Sequence, residues 1–95
     1  MVTAYTPSRQ ETQGSPRVTA SGARVRRGIV ALSKDLEREL RLAFGDRVTL
    51  EGIGTFVFED RVSSRKRRQA DIFMESQQAA RAFGKRKAYI LVQHK

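Results

Sequence analysis

The chain has 95 residues, no cysteine and a single histidine, and 19 Lys and Arg against 10 Asp and Glu give it a formal charge of +9 at pH 7. That length suits one domain, and the missing thiols exclude a disulfide framework, a thiolate zinc site and thiol catalysis. So large a cationic excess makes polyanions the default partners, nucleic acid first among them, through long-range attraction and counterion release.

Residues 1–21 hold Ser, Thr, Gln, Gly and both prolines without a hydrophobic period, and they read as a flexible tail outside the core. The tail is poor in acid and so has some likeness to a transit peptide, which its prolines and missing amphipathic pattern weaken. What remains, 22–95, is a module whose core is marginal, so self-association is expected to complete it. No stretch approaches a membrane span and no secretory core follows Met1, so the chain reads as soluble and intracellular, in nucleoid or nucleus with an organelle as the alternative.

Val25, Ile29, Leu32, Leu36, Leu40 and Ala43 recur at spacings of three and four, which predicts one amphipathic helix of about twenty residues. Leu42 and Phe44 widen its apolar stripe, Ser21 is its N-cap and Gly45 its C′ residue. Arg27, Lys34, Arg38 and Arg41 occupy the opposite side, with Glu37 four before Arg41. A competing break at Ser33, with that serine as a second N-cap, is set aside: Ser33 and Glu37 lack capping-box spacing, and Ala31 favours continuity.

Arg47 to Glu59 then reads as two strands joined by Gly52-Ile53-Gly54. Val48 and Leu50 face one way in the first, Phe56 and Phe58 in the second, and the glycines suit a turn of positive φ. Beyond it Arg61, Arg65, Lys66, Arg67 and Arg68 form a basic run around Ser63-Ser64, and Ile72 and Met74 oppose Asp71, Phe73 and Glu75 on a further strand. The pair reads as a hairpin with a cationic tip, fit to grip phosphates or enter a minor groove. A nuclear-import signal and a contact for an acidic protein surface remain open for the same run.

Ser76 predicts the cap of a short helix with Ala79, Ala80 and Phe83 inward and Gly84 at its end. Lys85, Arg86 and Lys87 follow, and Ala88 to Val92 continues as helix or edge strand. His94 beside the C-terminus reads as a surface residue. No constellation points to catalysis, a metal or a cofactor: Asp35, Glu37 and Glu39 read as solvated partners of arginines, and Gly52-Ile53-Gly54 is no phosphate loop. The expected class is non-enzymatic.

The order of helix, Gly-Ile-Gly hairpin, basic run and short helix with its Gly84-Lys85 pair resembles the HU and integration-host-factor family. The resemblance implies an α+β fold: a long amphipathic helix packed on a small antiparallel sheet, with a basic hairpin arm and a short C-terminal helix. It implies a homodimer or HU-like heterodimer that binds duplex DNA with weak sequence selectivity, an architectural protein of chromosome organisation, with RNA as an alternative ligand. Arg47, Arg61, Arg65, Lys66, Arg67, Arg68, Lys85, Arg86 and Lys87 would hold the nucleic acid. Val25, Ile29, Leu32, Leu36, Leu40, Phe44, Val48, Leu50, Phe56 and Phe58 would form the core and dimer face. The chain departs from that family in lacking a first helix, in its shorter arm and in having no proline after Pro16, so that wedging a proline into a base step is unavailable. DIFMESQQAARAFG also resembles the divergent HU-like domains of eukaryotic coiled-coil proteins, which implies protein docking in a ciliary, centrosomal or ribonucleoprotein assembly as the alternative.

Overall fold

A computed structural model describes residues 1–6, 18–22 and 26–93. The elements run β1 (Val2–Tyr5), β2 (Ile29–Leu32), α1 (Lys34–Glu39), β3 (Arg47–Leu50), β4 (Gly54–Arg61), β5 (Ala70–Phe73), α2 (Gln77–Phe83) and β6 (Ile90–Gln93). The fold is α+β, with one six-stranded sheet in the order β1-β5-β2-β4-β3-β6. The sheet is mixed and not purely antiparallel: β1 runs parallel to β5 and β2 parallel to β4.

The long helix is corrected to a strand and a short helix. Ile29, Val30, Ala31 and Leu32 are consecutive and all buried, the signature of a strand covered on both faces, whereas an amphipathic helix leaves one side to water. Ser33, extended at φ −70° and ψ 153°, separates this strand from α1, so the break set aside on capping-box grounds is the one the chain makes. Within α1 only Leu36 is buried. Arg41, not Gly45, is the left-handed residue that ends it, at φ 54°. The Arg41 N–H donates to the Arg38 carbonyl (3.2 Å) and the Leu42 N–H to the Glu37 carbonyl (2.9 Å), the two bonds of a Schellman closure. Ser21 lies in a turn closed by the Gly22 N–H on Thr19, and Val25 falls outside the described residues.

The hairpin forms as the alternation requires. β3 and β4 are antiparallel with Val48 opposite Phe56 and Leu50 opposite Gly54, and Gly52 in the turn has φ 82°. Ile29, Leu32, Leu36, Val48, Leu50 and Phe58 are all buried, joined in the interior by Val2, Val30, Leu42, Ala70 and Ile72. Leu40, Phe44 and Phe56 pack against that core half-buried, and the Phe44 ring tilts on Phe58 with centroids 4.9 Å apart.

Two further differences shape the molecule. Val2–Tyr5, placed by composition in the tail, is the edge strand β1, with Val2 buried. The Val2 N–H and carbonyl exchange bonds with Arg86 (2.6 and 2.9 Å), so the chain leading into β6 returns to the opposite edge and the sheet curls towards closure. The basic run is not the tip of a two-stranded arm, because β2 lies between β4 and β5. An unpaired ribbon would leave its backbone to solvent; here the connection folds on α1, with the Arg68 N–H held by the Asp35 carboxylate at 2.9 and 3.2 Å. HU-like architecture is thus not seen among the described residues. The short C-terminal helix has the expected ends, the Ser76 hydroxyl accepting from the Ala79 N–H (3.0 Å) and Gly84 closing α2 at φ 68°, but Ala79 is exposed and only Ala80 and Phe83 of the expected inward face are half-buried. Ala88 to Val92 resolves into the approach to an edge strand, β6, paired with β3.

A non-glycine residue held left-handed costs about 1 kcal/mol or more. Arg41→Gly is accordingly expected to raise the urea midpoint by the equivalent of about 1 kcal/mol, the relief outweighing glycine's entropy in the unfolded chain. A lowered midpoint would show that the arginine stem supplies packing the backbone geometry does not reveal.

Candidate functional site

One row crosses four strands. Thr3 of β1 is in register with Asp71 of β5, Asp71 with Ala31 of β2, and Ala31 with Asp60 of β4. Residues in register share a face of a sheet, so two carboxyl groups flank a single methyl. Asp60 reaches this row through a bulge: β2 pairs Ile29 with Val57 and Val30 with Phe58, then skips Glu59 to pair Ala31 with Asp60. Without the extra residue Asp60 would follow Phe58 by two and point with it into the core.

A cleft of about 370 Å³ opens over the row, lined among others by Tyr5, Ala31, Asp60, Arg61, Lys66 and Asp71. Three donors converge on Asp60. The Tyr5 hydroxyl reaches Oδ2 at 3.2 Å, while the N–H groups of Ala20 and Arg61 reach Oδ1 at 3.0 and 2.9 Å. Asp71 is held on one oxygen, Oδ1, by the Thr3 hydroxyl and by the Gln69 amide at 3.0 Å; that amide also donates to the Thr3 oxygen at 2.7 Å. Burial pushes the Asp71 carboxyl above the ordinary carboxylate range, and the negative charge of Asp60 adds to the push against the opposing Gln69 bond and Lys66 charge. Burial, followed by the charge and hydrogen bond of Asp60, raises the Tyr5 phenol far above its usual value, so it remains a donor. The two carboxyl groups therefore sit in different settings, Asp60 taking donors on both oxygens and Asp71 on Oδ1.

The residues expected to hold nucleic acid do not form one patch. Arg61, at the end of β4, makes a bidentate pair with Glu37 (2.7 and 2.8 Å) and lies over the Phe44 ring at 4.6 Å. Arg68 meets Glu39 at 3.3 Å. Arg65, Lys66 and Arg67 are exposed in the connection between β4 and β5, and Arg47 is exposed at the start of β3. Lys85, Arg86 and Lys87 are exposed beyond α2, where Arg86 stacks on Phe83 at 4.3 Å and lines a different cleft from Arg61 and Lys66. Asp35, Glu37 and Glu39 do engage arginines. Glu37 is drawn below the ordinary carboxylate range by its hydrogen bond from Arg61, and Asp35 by Ser33 and then the Arg68 backbone. His94 lies outside the described residues.

Sequence reasoning missed Thr3, Tyr5, Asp60, Gln69 and Asp71. The available signal was a carboxylate in the middle of an apolar strand, Ala-Asp-Ile-Phe at 70–73. Such a residue on a covered sheet has to have a partner or a task. No family model matches the chain, and no curated protein matches it either.

The raised titration of Asp71 fixes a sign. The folded state keeps a proton there that the unfolded chain gives up, so stability falls as pH rises from the ordinary carboxylate value through the raised one. Asp71→Asn should remove that loss, melting higher than wild type at neutral pH and converging with it below the ordinary carboxylate range. Glu37 acts in the opposite sense in both proteins, its contribution being present at neutral pH and lost on acidification. Parallel melting curves, offset equally at every pH, would show that Asp71 carries no abnormal proton.

Proposed function

We propose that the Asp60–Asp71 cleft is an acid–base site that hydrolyses glycosidic bonds. The observation carrying this is the in-register pair of carboxyl groups on either side of Ala31, one half-buried and pushed by that burial above the ordinary carboxylate range, in an open polar cleft. Such a pair can carry the cleavage of a glycosidic bond, because its oxocarbenium-like transition state calls for an acid at the leaving oxygen and a carboxylate opposite. Asp60 and Asp71 stand on strands separated by β2, which sets their backbones about 9.5 Å apart at ordinary strand spacing.

In this reading Asp71 is the acid. Its Oδ1 accepts from Thr3 and Gln69, so the proton resides on Oδ2 and passes to the leaving glycosidic oxygen as the carbon–oxygen bond breaks. Asp60, steadied by the Tyr5 hydroxyl, takes a proton from the water whose oxygen adds to the anomeric carbon. An alcohol and a hemiacetal leave, and solvent returns the proton from Asp60 to Asp71.

Duplex nucleic-acid binding of the HU-like kind, by a dimer, is the second reading. It is favoured by the exposed Arg65, Lys66 and Arg67 in a chain of charge +9. Its mark would be affinity falling linearly with log salt, less steeply once those three residues are alanine.

Reducing-end release from a panel of neutral and acidic polysaccharides tests the first reading. Asp71→Asn and Asp60→Asn should each lower kcat by about 10²–10⁴-fold with the fold intact by circular dichroism. kcat/KM for wild type should decline as pH rises through the Asp71 titration, above the ordinary carboxylate range. Cleavage that survives both substitutions, or no cleavage of any glycan, would overturn it.

A further inference from the structure

Strand β5 turns Asp71 to one side of the sheet and Ile72 to the other, and on the Ile72 side a cleft of about 590 Å³ opens at the end of the sheet where β2 begins and β5 finishes. Its floor is apolar. Phe56 and Ile72 come from the core side of the sheet, Ile53 from the β3–β4 turn, Met74 from just beyond β5 and Phe83 from α2. Gly28, also in the lining, adds no side chain, and a Cβ built on it would meet nothing within 4 Å. Helix α2 leaves the cleft unfilled, since none of its seven residues is buried, with Phe83 half-buried and Ala79 exposed. Its apolar side is only partly covered.

The rim is charged. Arg27 and Glu75 meet at 3.4 Å, so the one acid in the lining is paired. Arg86, stacked on Phe83 at 4.3 Å, is in no ion pair among the described residues, and Lys85 and Lys87 flank it in the chain. The stacking holds its guanidinium at the edge of the apolar floor.

We propose that this cleft binds a medium-chain fatty carboxylate, with its hydrocarbon on Phe56, Ile72 and Met74 and its head group on Arg86. Pockets for small ligands are largely apolar with a few polar groups that orient the ligand, and the open ends of barrel-like sheets are a common place for them. An anionic head matches the unpaired guanidinium. A sugar would instead set hydroxyls on the apolar floor, where the Ser76 hydroxyl is already used in capping α2. The site is independent of the hydrolytic reading, because Asp71 and Ile72 face opposite ways.

Calorimetric titration of the full chain with octanoate, decanoate and decan-1-ol, each below its aggregation limit, tests the site. Each buried methylene is worth about fourfold in affinity, so decanoate should bind about tenfold more tightly than octanoate. Decan-1-ol should bind about fivefold more weakly than decanoate, and Arg86→Gln should remove that difference. Ala79→Trp, which fills the cleft from an exposed position on α2, should abolish binding of both with thermal stability retained. The chain has two methionines, Met1 and Met74, so in protein labelled at the methionine methyls decanoate should shift the Met74 resonance and leave Met1 in place. Affinity indifferent to chain length, a carboxylate preference that survives Arg86→Gln, or equal shifts of both methyls would overturn the proposal. So would a wild-type dimer in sedimentation that Ala79→Trp dissociates and decanoate leaves intact, since a second copy would then cover the floor.

Discussion

Ala31 sits in a strand that is hydrogen-bonded on both edges and buried on both faces, and the molecule is arranged around that strand. Strand β2 takes β4 in parallel on one side and β5 in antiparallel on the other, so its four residues set the register of both. Val30 and Leu32 contribute to the core, which leaves the opposite face at Ala31 with nothing larger than a methyl. A bulkier side chain there would fill the hollow between Asp60 and Asp71. The same small residue that allows tight cover of the central strand thus leaves open the space between the two carboxyl groups.

The bulge at Glu59 is the second half of this arrangement. One additional residue turns Asp60 away from the Phe58 interior, while Arg61 reaches Glu37 and anchors α1 against the end of β4. Two locally unfavourable features stand in separate places, the half-buried carboxyl of Asp71 on β5 and the left-handed Arg41 beyond α1. Neither is needed for a stable sheet. An asparagine and a glycine would serve the fold at least as well.

Charge is distributed by the same logic. The acids of α1 engage the basic chain that follows β4, Glu37 with Arg61, Glu39 with Arg68 and Asp35 with the Arg68 backbone, which ties that connection to the body of the protein. Exposed pairs of this kind add little stability individually, and their effect here is positional. They leave the excess positive charge in separate places: the 65–67 turn, the hollow of Lys34, Arg38 and Arg41, and the segment beyond α2. No helix among the described residues is long and apolar enough to cross a membrane.

Local signals settled the parts of this fold whose partners are close in sequence. The alternation at 47–58 fixed the β3–β4 hairpin and which side of each strand is buried, and Ser76 with Gly84 fixed both ends of α2, because hairpins and caps are made by neighbours. The class, α+β, was expected from the family resemblance, and it holds without the long helix on which that expectation was built. Ile29 to Leu32 was not decided locally: a short apolar run fits a helical stripe or a doubly covered strand, and only the presence of β4 and β5 on either side selects the strand. Val2–Tyr5 likewise looks like tail until β5 pairs with it and Arg86 closes against it. The site was the least legible part, since Thr3, Ala31, Asp60 and Asp71 come from four strands and a one-residue bulge determines whether the two carboxyl groups share a face. Sequence specified which residues were available to meet; long-range register alone decided which of them do.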